Sequence, residues 1–305
     1  MMYDLCAKQS IPHRNTKKWI IAQDQQQMDE LEKVHKLASS IDVPTRFLSK
    51  EEIKAREPDV RAEAGVLESE STGIVDSHSF MQYLEGDYQD RGGDCAFHST
   101  VTRIEPINSG REGYRIYFTS DEPGEQSVEV ETLINSAGLF AIPISNMVLP
   151  KDRHRQPFYA KGSYFSYSAS SPKPKTLLYP APVPGFGGLG THLTLDMTGR
   201  VRFGPDVEWV DDPTNLKPDP KRMQDAIAMI LSYLPSVKID AIDVDYCGMR
   251  PKLGKTGSTT GKDFADFYIK QEDGFPGFVN LLGIESPGLT CSLAIGEMVE
   301  RMLYK

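Results

Sequence analysis

The chain is 305 residues long, enough for about two domains with a substantial buried core, and its 39% apolar and 25% charged residues are ordinary for a globular protein. A formal net charge of −9 excludes a general affinity for nucleic acid or anionic membrane, while leaving room for a local basic pocket that binds a small acid. No apolar run approaches the roughly 18 residues of a membrane span, and the opening MMYDLCAKQS is neither a signal nor a transit peptide.

In chain order, residues 19–22 read as a short apolar strand. Residues 25–40 read as an amphipathic helix with Met28, Leu31, Val34, His35 and Ala38 on one stripe. Ser49 with Glu52 three residues later makes a capping box that starts another helix. Residues 80–91 form a helix stopped by Gly92-Gly93, with His78 capping or steadying its start, and strands follow at 96–105, 114–119 and 128–135. From Lys151 to near Tyr246 the texture changes to short strands and many prolines, with one helix over 220–234. A last strand, 278–282, runs through a glycine-containing loop into a helix over 290–303. The scattered cysteines, Cys6, Cys95, Cys247 and Cys291, lack any C-x-x-C spacing and read as reduced thiols rather than a metal or disulfide framework.

A literal G-x-G-x-x-G stands at Gly185, Gly187 and Gly190. A dinucleotide site needs a strand before such glycines and a helix after them, so that the helix N-terminus meets the pyrophosphate. Here the glycines follow YPAPVP, whose prolines cannot donate to a central ladder. They precede Thr191-His-Leu-Thr-Leu-Asp196, which alternates like a half-buried strand. Val201 and Phe203, beyond a turn at residues 197–200, complete a hairpin, so the match is read as a loop leading into it. The last strand–loop–helix is a better place for a cofactor. Gly283 and Gly288 lead into a helix whose first turn leaves N–H donors free, and Ser292, Ala294 and Gly296 keep one face small. On physics alone an ordinary strand-to-helix turn stands beside that reading.

The segment NLLGIESPGLTCSLAIGEMV resembles the C-terminal flavin-binding stretch of the L-2-hydroxyglutarate dehydrogenase family, within the glycine- and D-amino-acid-oxidase-like flavoproteins. GIVDSHSFMQYL, VTRIE, LINSAGLFA, KGSYF, GLGTHLTLD, VRFGPDVE and CGMRPKL follow the same family order over nearly the whole chain. The resemblance implies FAD as cofactor. It places Gly283, Ile284, Ser286, Gly288, Leu289 and Thr290 along the isoalloxazine, Val101 beside the adenine, and Ala137 and Gly138 near the ribose and pyrophosphate. Family members open with a βαβ unit bearing the true phosphate loop, and then a His-containing segment. The present N-terminus resembles what comes after both, so the expectation is an N-terminally truncated chain with weakened FAD binding.

For the chemistry, Arg250 in Gly248-Met-Arg-Pro-Lys252 offers a planar fork for a substrate carboxylate, the role that the resemblance implies, against a surface ion pair as the plain alternative. Lys252, two residues on and on the same face of a strand, suits the second carboxylate of a five-carbon diacid. His192 is the candidate base for the hydroxyl proton, since its strand resembles the family's flavin-facing hairpin; a histidine bonded to backbone is the other reading. Tyr164 is a weaker candidate for substrate contact or else a core aromatic. No metal ligand set is expected.

The fold class expected is α/β (α+β): a doubly wound FAD domain lacking its first βαβ unit, interleaved with a mixed, largely antiparallel substrate domain. Residues 1–65 and 151–250 are assigned to the substrate domain, and 66–150 and 251–305 to the FAD domain. The expected reaction is FAD-dependent oxidation of L-2-hydroxyglutarate to 2-oxoglutarate, passing electrons to an acceptor that the sequence does not name. A related amino-acid oxidase and a non-catalytic fragment are the rivals. A mitochondrial setting follows from the resemblance alone, the cytoplasm otherwise.

Overall fold

The computed structural model describes residues 1–182, 190–255 and 266–305. Its mixed α/β architecture, with several separate sheets, bears out the expected fold class. The largest is a nine-stranded sheet. From one edge it runs Glu208–Val210, Phe158–Tyr167, Val201–Phe203, Leu193–Leu195, Leu177–Pro180, Lys18–Ala22, Gly65–Ser69 and Thr45–Phe47, and Ile242–Lys252 pairs with Phe158–Tyr167. Strand alternation sends Trp19 and Ile21 into the main core, where they join Phe165, Phe203, Leu178 and Leu193 under Ile230 and Tyr233 of the helix Met223–Tyr233. The amphipathic helix Gln25–Ser40 forms as its periodicity requires and buries Leu31 and Ala38.

A second sheet holds Tyr268–Gln271, Phe278–Leu282 and Leu133–Asn135, the last two parallel. Asn135 and Asn280 face one another in this parallel register and are both buried. The Asn135 Nδ2 donates to the Ala141 carbonyl at 2.7 Å and to Asn280 Oδ1 at 2.8 Å. Asn280 Nδ2 donates in turn to Ser145 Oγ at 2.9 Å and to Glu272 Oε1 at 2.7 Å. Glu272 also pairs with Arg153, so a charge at the end of the chain of bonds is compensated. Leu133–Asn135 is one of the two outer strands of this sheet, and Ile134 on it is 44% exposed.

The elements differ from the sequence reading in instructive ways. The helix expected over 80–91 is Ser77–Asp90, and its cap is Asp76, whose carboxylate accepts from the amides of His78 and Ser79; His78 sits in the first turn and is not the cap. The strand expected at 96–105 is Thr100–Pro106, and that expected at 128–135 is two strands, Glu125–Val130 and Leu133–Asn135, serving different sheets. The last helix begins at Gly288, earlier than its apolar periodicity suggested. The hairpin after the glycines is present: Leu193–Leu195 pairs antiparallel with Val201–Phe203, and Asp196 caps the turn by accepting from the amides of Thr198 and Arg200. The G-x-G-x-x-G itself falls outside the described residues except for Gly190. Its approach, Leu177–Pro180, is a strand parallel to Lys18–Ala22 that ends where the prolines begin. All four cysteines are free thiols.

Replacing Asn280 with Leu keeps the branched shape but strips two donated bonds and one accepted bond from a buried chain. A loss of about 2–3 kcal/mol in unfolding free energy is expected from urea titration; a change within error would show that the asparagine pair is replaceable packing.

Candidate functional site

Arg250 lies on the strand Ile242–Lys252 and Tyr164 on its antiparallel neighbour Phe158–Tyr167. The register shifts between Ser163 and Phe165, leaving Asp245 and Tyr246 opposite the single residue Tyr164. Such a bulge bends the strand and re-aims the side chains beside it. It sets Tyr164 flat against Tyr246, ring centroids 4.6 Å apart and 7° from parallel. Burial pushes the Tyr164 hydroxyl above the ordinary tyrosine range, partly offset by the nearby positive charge of Arg250.

His192 stands at the head of the hairpin strand and is only 6% exposed. Its Nδ1 is 3.1 Å from the Gly190 carbonyl oxygen, so in the neutral ring Nδ1 donates and Nε2 is left as the acceptor. The ring stacks on Tyr179 with centroids 3.9 Å apart. Burial drives the His192 pKa down to about 4; the Gly190 carbonyl acts the other way, and the positive charges of Arg250 and Lys18 add to the fall. At neutral pH the residue is therefore an uncharged imidazole among cations. Tyr179 is held protonated, its pKa pushed up to about 12 by burial. The Lys18 ammonium sits over the Tyr179 ring, 5.2 Å from its centroid, and burial holds its pKa below the ordinary lysine value.

Arg250 and Lys252 share a face, as strand alternation requires, and both reach Glu285: Arg250 Nη1 at 3.6 Å and Lys252 Nζ at 2.5 Å. Lys252, read from the sequence as a holder of substrate carboxylate, thus has a carboxylate of the chain itself as its close partner. Glu285 belongs to the loop between Phe278–Leu282 and the terminal helix Gly288–Tyr304, so this ion cluster ties that loop to the large sheet.

The terminal helix has no side-chain cap, which leaves the amides of Leu289 and Thr290 as donors outside the helical ladder. An open groove of about 830 Å³ brings together Ser136 and Gly138 from one expected cofactor segment and Ile284, Gly288 and Leu289 from the other. Gly138 has φ +57°, and a Cβ there would meet nothing within 4 Å, so the space beside it is open. Ala137, Ser286 and Thr290 are exposed next to this groove in the chain. Gly283 is required by its own turn: at φ +68° it is buried, and a Cβ would come within 2.7 Å of Leu253. Val101 stands apart, on Thr100–Pro106, packed against the cluster of Ile104 and Tyr114.

A parallel strand pair followed by small residues, an uncapped helix and a cationic aromatic cluster on a mixed sheet fit a flavin-dependent oxidoreductase. The chain belongs to the family of FAD dependent oxidoreductases, whose pattern it matches over residues 1–302. It is 34% identical to the mitochondrial L-2-hydroxyglutarate dehydrogenase of Arabidopsis thaliana, across 98% of this chain and 68% of that protein. It is 25% identical to the glycerol 3-phosphate dehydrogenase of Caloramator mitchellensis, across 98% of this chain and 59% of that one. Among solved structures, the reduced L-alpha-glycerophosphate oxidase of Mycoplasma pneumoniae with FAD bound superposes with a TM-score of 0.83 at 22% identity, over 97% of this chain and 74% of the other. The residues present fit the cofactor of this family: free helix amides suit an electron-rich ring edge, and the open side of Gly138 admits a group to the backbone.

Lys18, Tyr179, Tyr246 and Glu285 escaped the sequence reading. Glu285 lies within the quoted GIESPGLT, and Lys18 heads the KWIIA strand, so both were visible but without a partner to give them meaning. Tyr179 was hidden by the prolines that follow it.

The depressed His192 pKa makes stability depend on pH with a definite sign. The unfolded chain takes up this proton near 6.5 and the folded chain only near 4, so stability that is full above about pH 6.5 is lost as pH falls toward 4. Between those limits the parent should lose on the order of 3 kcal/mol more than His192→Gln, measured as the difference in their urea unfolding free energies at each pH. Parallel pH curves for the two proteins would contradict the buried neutral histidine.

Proposed function

We propose that this protein oxidises L-2-hydroxyglutarate to 2-oxoglutarate in an FAD-dependent reaction. The observation that carries the reading is the buried cluster in which a neutral His192, with no hydrogen bond at Nε2 among the described residues, stands in the field of Arg250 and Lys18. Such a site suits an anionic substrate that must also give up a hydroxyl proton. Support comes from the likeness to the plant enzyme, named for this substrate and for mitochondria, and to bacterial enzymes of the same activity. The plant likeness also supports a mitochondrial setting for this chain.

FAD, when bound, supplies the acceptor for the hydride that leaves C2. Arg250 binds the carboxylate next to C2 through its planar fork, displacing the looser of the two Glu285 contacts, and so orients the C2 hydroxyl. His192 Nε2 takes the hydroxyl proton as the C–H electron pair departs, leaving the carbonyl of the 2-oxo acid. Tyr164, kept protonated, donates toward the bound acid, with its ring braced by Tyr246. Gly138 and the segment from Gly283 to Thr290 form the cofactor side, and Val101 belongs to the strand set beside the adenine.

Anaerobic stopped-flow reduction of the FAD-loaded protein tests the reading without a known electron acceptor. L-2-hydroxyglutarate should bleach the flavin, while the D enantiomer, glycine and glycerol 3-phosphate should do so far more slowly. Faster reduction by an amino acid or by glycerol 3-phosphate would replace the substrate assignment. Arg250→Lys should cost about 1–3 kcal/mol in transition-state binding, because a point charge cannot reproduce two parallel bonds. His192→Gln should slow reduction by roughly 10²–10⁴-fold. Parental rates in either variant remove that residue from its role.

A further inference from the structure

The site contains more positive charge than one carboxylate can satisfy. Arg250, Lys252 and Lys18 are three cations, and Glu285 is the one acidic side chain that pairs with any of them among the described residues. Two positive charges are left over, which matches a dianion. Lys252 is the poorer candidate for the second of these, because Glu285 holds it at 2.5 Å and holds Arg250 only at 3.6 Å. Lys18 has no carboxylate within ion-pair reach among the described residues, and its ammonium lies over Tyr179, the ring on which His192 is stacked. We propose that Lys18 is the specificity residue for the far carboxylate of a 2-hydroxy dicarboxylate, with Glu285 reserving Lys252 for the fold and leaving Arg250 to the carboxylate beside C2.

The placement has a structural reason. Lys18 begins the strand Lys18–Ala22, whose register with Leu177–Pro180 is fixed by the buried Trp19 and Leu178 opposite one another. Its stem therefore leaves the sheet at a fixed point beside Tyr179, and its charge is felt at His192 together with that of Arg250. Burial without a counter-ion weakens the ammonium of Lys18, a cost that an arriving carboxylate removes. A monocarboxylate leaves this cation as unmatched as it is in the free protein and gains nothing from it, so the residue favours diacids by the contact it adds.

The inference rests on the assignment of this cluster as the acid-binding site, and the test separates the two. Isothermal titration calorimetry measures binding of 2-oxoglutarate and of 2-oxopentanoate, acids of equal length with two carboxylates and one. Lys18→Met should weaken 2-oxoglutarate about 10- to 100-fold and leave 2-oxopentanoate unchanged. Lys18→Arg should retain most of the preference for the diacid. Lys18→Gln, which keeps a polar head without the charge, gives the same readout as the methionine variant should that one fail to fold. Lys252→Met should leave the ratio of the two affinities unchanged. An undiminished diacid preference in Lys18→Met or Lys18→Gln, or its collapse in Lys252→Met, overturns the role given to Lys18. Unchanged binding of both acids in Arg250→Met would instead show that the acid site lies elsewhere, and the proposed function would fall with it.

Discussion

The asparagine pair Asn135–Asn280 is the constraint on which the cofactor side of the molecule depends. Asn135 ends its short strand and Asn280 lies at the middle of its own, and each strand leads directly into one of the two segments expected at the flavin. Parallel strands have no hairpin to set their register. A slip would break the bond between the two amides and those that Asn280 donates to Ser145 and Glu272, leaving buried amide groups unpaired. The polar chain thus fixes where Gly138 lies relative to Gly283 and the helix beyond it, a precision that apolar packing alone would not give.

On the substrate side, electrostatics are set by burial as much as by pairing. His192 is a weak base in the free protein because it is desolvated and faces two cations. A bound dianion would neutralise Arg250 and Lys18 together, removing both of their contributions and strengthening the base only when substrate is present. On the proposed reading the same two cations would then stabilise the acid and stop repelling the proton that His192 receives. Base strength in this site is thus a property of the complex and not of the histidine alone.

The sequence displayed local features well and long-range ones poorly. The helix Gln25–Ser40, the capping box at Ser49 and the hairpin around Asp196 are decided by neighbours within a few residues, and each stands as read. Boundaries moved where a tertiary partner outweighed local pattern: residues 131–132 break one apparent strand because Leu133 donates to the Gly277 carbonyl of another sheet. Arg250 and His192 were visible as chemistry-bearing types, but the spacing of 58 positions between them carries no contact information. Glu285 shows the limit most clearly. Its meaning comes from two side chains more than thirty residues away that a sheet happens to aim at it.

That geometry also bears on how the two halves act together. Glu285 is carried by the loop that enters the terminal helix, while Arg250 and Lys252 are carried by the large sheet. One carboxylate with a tight contact and a loose one can yield the loose one without letting go. In the proposed reaction a substrate carboxylate would compete at Arg250, where the gap of 3.6 Å already exceeds hydrogen-bond reach, and not at Lys252, where it is 2.5 Å. On that reading the loop would stay fastened to the sheet while the arginine changed partners. Had Glu285 been bound equally to both, binding of the acid would have cost the alignment between cofactor loop and substrate sheet on which hydride transfer depends.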